Sequence, residues 1–167
     1  MKTGEGLQDT IDEIAKRLIR KRQTIAVAES VTSCNIQAAL SRAENASLFF
    51  QGGITVYNIG QKCRHLNVDP VHAESCNSVS QKVGDQLSLN INVLFLSHYG
   101  IGITGYAAPF PERGIDALFA YVSISSDGQV IASKKLSANE GDSALQVQMF
   151  YSHEALRLLL KIIEQEY

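Results

Sequence analysis

The chain has 167 residues, of which 45% are hydrophobic and 19% charged, and it carries a net charge of −2. That length suits one domain with a substantial core, residues 1–167, and no repeat, linker or low-complexity segment divides it. The slight acidic balance excludes nucleic acid as a partner, since Lys and Arg form no stripe beyond "KRLIRKRQ", which reads as a solvated helix end.

In chain order, the opening MKTGEGLQDTIDE carries acids and no apolar run, so no secretory signal is expected. Leu7, Ile11, Ile14, Leu18 and Ile19 recur at helical spacing and predict an amphipathic helix over 7–22. Thr24–Ala28 is a short buried strand, and 32–43 read as a helix with Ile36, Ala39 and Leu40 on one face. "QGGITVYN" predicts a second strand, 59–76 short helical pieces around Pro70, and 79–96 a helix with Val83, Leu87, Ile91 and Leu94 inward. "YGIGIT" (99–104) is a buried strand, followed by a Pro- and Gly-punctuated loop over 105–114. "IDALFAYVSI" and "QVIASKKL" flank Asp127-Gly128 and predict a hairpin; a helix over about 142–165 closes the chain. Strands alternating with helices, plus a late hairpin, predict an α/β fold: a mixed sheet sandwiched between helices in three layers. No window approaches 18 uninterrupted apolar residues, so no membrane partner is expected. Cys34, Cys63 and Cys76 cannot all pair internally and suit a reducing compartment, so a soluble cytoplasmic protein is expected.

Several motifs have a plainer explanation. "GIGITG" matches G-x-G-x-x-G, but its glycines lie inside a strand rather than at a turn opening a helix, so close packing explains them better than a dinucleotide. Cys63, His65, His72 and Cys76 are potential zinc ligands, yet the single residue between Cys63 and His65 is tighter than structural zinc spacing; no metal is expected. Cys34, near a helix start, is either an activated thiol or a small apolar filler.

"TIAVAESVTSCNIQAAL" stands out. Ser30 follows a buried strand and precedes a helix whose first N–H groups suit an oxyanion or a phosphate, while Glu29, Thr32 and Ser33 crowd beside it. Thr32 or Ser33 also suits a helix cap. A serine needs a base, and neither G-x-S-x-G nor S-x-x-K occurs. "GGITVYNIGQK" supplies a lysine: Tyr57 ends the second strand and Lys62 follows five residues later, at the same sheet edge if the two strands are parallel neighbours.

Taken together, "VAESVTSC", "GGITVYNIGQK", "NSVSQKV" and "HYGIGITGYAAP" resemble, in order and spacing, the C-terminal domain of the competence/damage-inducible CinA proteins. That domain also occurs alone as the nicotinamide-nucleotide amidase. The resemblance runs from about Leu7 to Leu160. It implies Ser30 as nucleophile, Lys62 as general base and Tyr57 as the residue orienting it. A nucleotide substrate would lie against Glu29, Thr32, Ser33, Thr104 and Gly105. The implied reaction turns nicotinamide mononucleotide into nicotinate mononucleotide and ammonia, with neither metal nor organic cofactor, in a homo-oligomer.

The chain also departs from the family pattern. Val31 stands for a cysteine and Ser33-Cys34 for a double glycine. The loop from Gly105 to Pro111 lacks glycines of the family loop, and Gln146 and Gln148 stand where an arginine is expected. These departures leave two other readings open: a catalytically degenerate nucleotide- or partner-binding protein, and an amidase for another amide.

Overall fold

A computed structural model describes residues 5–165. Its helices are α1 (Glu5–Lys21), α2 (Asn35–Ser41), α3 (Ile59–Leu66), α4 (Pro70–Ser75), α5 (Gln81–Leu94) and α6 (Ala144–Gln165). Its strands are β1 (Ile25–Glu29), β2 (Phe50–Thr55), β3 (Tyr99–Gly105), β4 (Phe119–Ser126) and β5 (Gln129–Ser137). The sheet order is β2-β1-β3-β4-β5. β1 runs parallel to both β2 and β3, while β4 and β5 add antiparallel at the far edge. This is the three-layer α/β sandwich that the alternating pattern predicts.

The period-2 alternation of the strands sorts the side chains into two cores. Ile25 and Val27 of β1, with Tyr99, Ile101 and Ile103 of β3, point to the layer built by α1, α2 and α6. Ala26 and Ala28 point the other way, towards Leu66 of α3, Ala73 of α4, and Val83, Leu87 and Ile91 of α5. Among the described residues no helix is long and apolar enough to cross a membrane.

Two predicted boundaries shift. The helix expected from residue 32 begins at Asn35, because Ser33 and Cys34 both adopt positive φ, 47° and 73°. Its start is held from upstream: Glu29 Oε2 accepts from Ile36 N–H (3.1 Å) and Oε1 from Gln37 N–H (2.8 Å). A carboxylate seven residues back does the work of the expected hydroxyl cap. The second strand ends at Thr55 rather than Asn58, and Asn58 instead caps α3 by accepting from Gln61 N–H.

The glycines of "GIGITG" serve close packing. A Cβ on Gly100 would lie 2.2 Å from the Ser88 carbonyl oxygen, and one on Gly102 would lie 2.3 Å from Ser88 N and 2.5 Å from Gly84 O. The backbone of α5 therefore rests on the backbone of β3. Side chains pin the contact further: Ser125 Oγ donates to Ser88 O (2.7 Å), and Ser123 Oγ donates to Asp85 Oδ1 (2.6 Å). Because the two nearest atoms facing Gly102 belong to main chain, neither gives way to a methyl group. Gly102→Ala is expected to destabilise the protein by about 2 kcal/mol or more, within or above the usual overpacking range. Urea unfolding checks this, with Gly6→Ala as a control for the loss of glycine at an open position of ordinary φ.

Candidate active site

The parallel strands β1, β2 and β3 all end at one edge of the sheet, where open α/β sheets form their crevices. A hollow of about 630 Å³ lies there, reached by Ser30 after β1, by Tyr57 after β2, and by Thr104 and Gly105 at the end of β3. The parallel register, Glu29 opposite Thr55, brings Ser30 and Tyr57 to the same edge.

Lys62 stands in the first turn of α3, and its amine reaches back to the hollow. Its Nζ lies 3.0 Å from Ser30 Oγ and donates to the Tyr57 main-chain carbonyl at 3.3 Å. Both side chains are buried, Lys62 at 2% and Ser30 at 5% exposure. Burial pushes the Lys62 amine down from 10.5 to about 8, with the neighbouring Cys63 thiol opposing the shift. A neutral lysine is thus accessible near physiological pH, beside a hydroxyl and at hydrogen-bond distance. That geometry suits a nucleophile with its base.

The side chain of Tyr57 has another place. Its ring is 71% exposed at the mouth of the hollow, and it is the carbonyl, not the phenol, that holds Lys62. Thr104 and Gly105 line the hollow; Thr104 is fully buried, and its Oγ1 donates to Ser78 O (2.8 Å). Glu29, Thr32 and Ser33 stand behind the wall rather than on it. The Glu29 carboxylate is fully buried and committed to α2. Thr32 Oγ1 is buried and, among the described residues, has no hydrogen-bond partner. Ser33 N–H donates to Ser30 O (3.2 Å), and Asn35 N–H donates to Thr32 O (3.1 Å). These turn bonds occupy the Ser33 and Asn35 N–H groups, and of the residues that follow Ser30 it is Val31 that lines the hollow.

Sequence reasoning passed over Asn77, Ser78, Tyr106, Phe110 and, as a wall residue, Gln148. Asn77 and Ser78 take positive φ in succession, 50° and 52°, a strained pair of the kind that collects at functional sites. Asn77 Nδ2 donates to Tyr106 Oη at 3.2 Å. The quoted motif "NSVSQKV" contains both residues, and Asn in a turn is the signal that marks a left-handed backbone. Of the two glutamines in the place of an arginine, Gln148 lines the hollow and Gln146 caps its own helix through Ser143.

The discounted groups point elsewhere. His65 meets Gln61 Oε1 at 2.9 Å, and His72 meets Ser80 Oγ at 2.8 Å. Cys76 Sγ donates to the His72 carbonyl, and exposed Cys34 lies 2.9 Å from Thr55 Oγ1.

Known proteins share the sequence pattern and the fold of this chain. A putative competence-damage inducible protein of Natranaerobius thermophilus is 33% identical over 135 residues, covering 80% of this chain and 33% of that protein. A CinA-like protein of Thermosynechococcus vestitus is 37% identical over 103 residues, 61% of this chain and 25% of that one. The chain thus spans a quarter to a third of these curated relatives. The crystal structure of a competence or damage-inducible protein from Enterobacter asburiae superposes with a TM-score of 0.88 at 23% identity, covering 94% of this chain and 98% of that one. A CinA superfamily protein from Escherichia coli superposes with a TM-score of 0.86 at 24% identity, covering 93% and 90%. At these identities the likeness is one of fold. The profile of the CinA C-terminal domain matches residues 7–163, and with nearly every described element inside that match the chain belongs to the CinA C-terminal domain family.

Proposed function

We propose that this chain is an amidohydrolase in which Ser30 is the nucleophile and Lys62 the general base. The amide that the family resemblance puts first is the carboxamide of nicotinamide mononucleotide. The observation that carries the reading is the buried contact of 3.0 Å between Lys62 Nζ and Ser30 Oγ.

Neutral Lys62 takes the Ser30 proton as Oγ bonds to the amide carbon. The carbonyl oxygen becomes an oxyanion, for which the main-chain N–H of Val31, on the wall beside Ser30, is the candidate donor. The Lys62 ammonium then returns a proton to the leaving nitrogen, the C–N bond breaks and ammonia departs. Water attacks the resulting ester with Lys62 again taking a proton, releasing the carboxylate and restoring Ser30. The Tyr57 carbonyl, accepting from Lys62 Nζ, keeps the amine beside Ser30 Oγ.

Ammonia release from nicotinamide mononucleotide tests the reading. Ser30→Ala and Lys62→Ala are each expected to lower the rate by about 1,000-fold or more. The double variant should fall little further, because nucleophile and base act as one unit. A parent protein that releases no ammonia from this or any tested amide overturns the reading.

The amine also predicts the pH profile. Activity should rise with pH, with a midpoint near 8, as the neutral base accumulates. An inflection near 10.5 would mean a solvated lysine.

Stability should show the same group. The folded state holds fewer protons than the unfolded one between about 8 and 10.5, so the parent gains stability as pH rises through that window. Lys62→Met removes the penalty of burying a cation. At pH 7 it is expected to stabilise the protein by up to about 3 kcal/mol, an advantage that fades towards pH 10.5. Thermal denaturation of both proteins across that range checks the sign.

A further inference from the structure

The hollow is walled by neutral groups. Asn77, Tyr106 and Gln148 present amide and phenol groups, and Ile59, Pro109 and Phe110 present apolar surface. Among the described residues that line it, Lys62 is the one Lys, Arg, His, Asp or Glu. That lysine is needed without its charge for the reaction above. A phosphate dianion drawn close to it would favour the ammonium and withdraw the base.

The other way to hold an anion is a helix start, through free N–H groups and the helix dipole. The starts of α3, α5 and α6 stand at this hollow, with that of α2 behind its wall, and at each a side chain of the chain itself takes at least one first-turn N–H; at α5, Ser80 Oγ takes Val83 N–H (3.2 Å). The Glu29 carboxylate takes Ile36 N–H and Gln37 N–H of α2, Asn58 Oδ1 takes Gln61 N–H of α3 (3.0 Å), and Ser143 Oγ takes Gln146 N–H of α6 (3.3 Å). At α2 the cap is itself a buried acid, one residue before the nucleophile. A phosphate placed there meets a carboxylate rather than a vacant donor pair.

We propose that the site selects a carboxamide-bearing ring and its neutral substituents through uncharged donors and apolar walls, and leaves any phosphate on the substrate in solvent. Its substrate class is then ring carboxamides irrespective of phosphorylation, with Gln148 the position that sets this indifference. This rests on the amidohydrolase reading of the same site.

The test compares kcat/KM for ammonia release from nicotinamide riboside and from nicotinamide mononucleotide. The two are expected to agree within about threefold. The value for the mononucleotide is expected to change little between about 0.05 and 0.5 M salt, where a screened phosphate contact would weaken. Gln148→Arg, which adds a cation on the wall, should raise the preference for mononucleotide over riboside about tenfold, as a new charge-assisted phosphate contact would. A parent preference for the mononucleotide of about 30-fold or more, eroded by salt, overturns the proposal while leaving the amidohydrolase reading intact. If neither compound is hydrolysed, that reading fails, and calorimetric titration decides the remaining question. Equal Kd values for riboside and mononucleotide support indifference to phosphate; tighter binding of the mononucleotide overturns it.

Discussion

The fold keeps the Lys62 amine out of water, and the arrangement of the candidate site follows from that constraint. A lysine at a helix start would ordinarily extend into solvent as a cation. Here the first turn of α3 aims it inward, and its neighbours at hydrogen-bond distance are a hydroxyl and a main-chain carbonyl. Neither neighbour is charged, so burial dominates and brings the amine down to about 8, where the neutral form is within reach. The geometry depends on strand pairing. β1 delivers Ser30 and β2 delivers Tyr57 because the strands are adjacent, parallel and in a register that ends both at one edge.

Glu29 complements this arrangement. It is a buried acid adjacent to the candidate nucleophile, yet its two oxygens are occupied by Ile36 and Gln37 N–H groups. Those donors, at the start of α2, satisfy both oxygens without an ion pair. The carboxylate therefore braces the turn from Ser30 to Cys34 while Lys62 stays unpaired. Had the two groups met, the lysine would have been fixed as an ammonium.

Much of this was legible in the sequence, and the exceptions have physical causes. Element types followed from periodicity, and the strand-embedded glycines of "GIGITG" read correctly as a packing device, which Ser88 and Gly84 now explain. The α2 boundary did not follow, since hydroxyls at Thr32 and Ser33 imitate a cap while a residue seven positions upstream supplies it. At Tyr57 the atom involved was not legible for a similar reason: sequence displays side chains, and here the backbone carbonyl makes the contact with Lys62. Asn77, Ser78, Tyr106 and Gln148 reach the hollow from three separate segments, a convergence set by tertiary packing that no local pattern encodes.

The two faces of the sheet also differ in what they let the sequence become. Towards α1 and α6 the strands present Ile, Val and Leu side chains, which can exchange for one another with modest repacking over evolutionary time. Towards α5, the nearest neighbours of Gly100 and Gly102 are main-chain atoms, which do not swing aside as a side chain can. That second face also leads to Thr104 and its bond to Ser78, at the wall of the hollow. Sequence drift is therefore expected to be one-sided in this fold: free on the aliphatic face, and frozen along the backbone contact that carries the site.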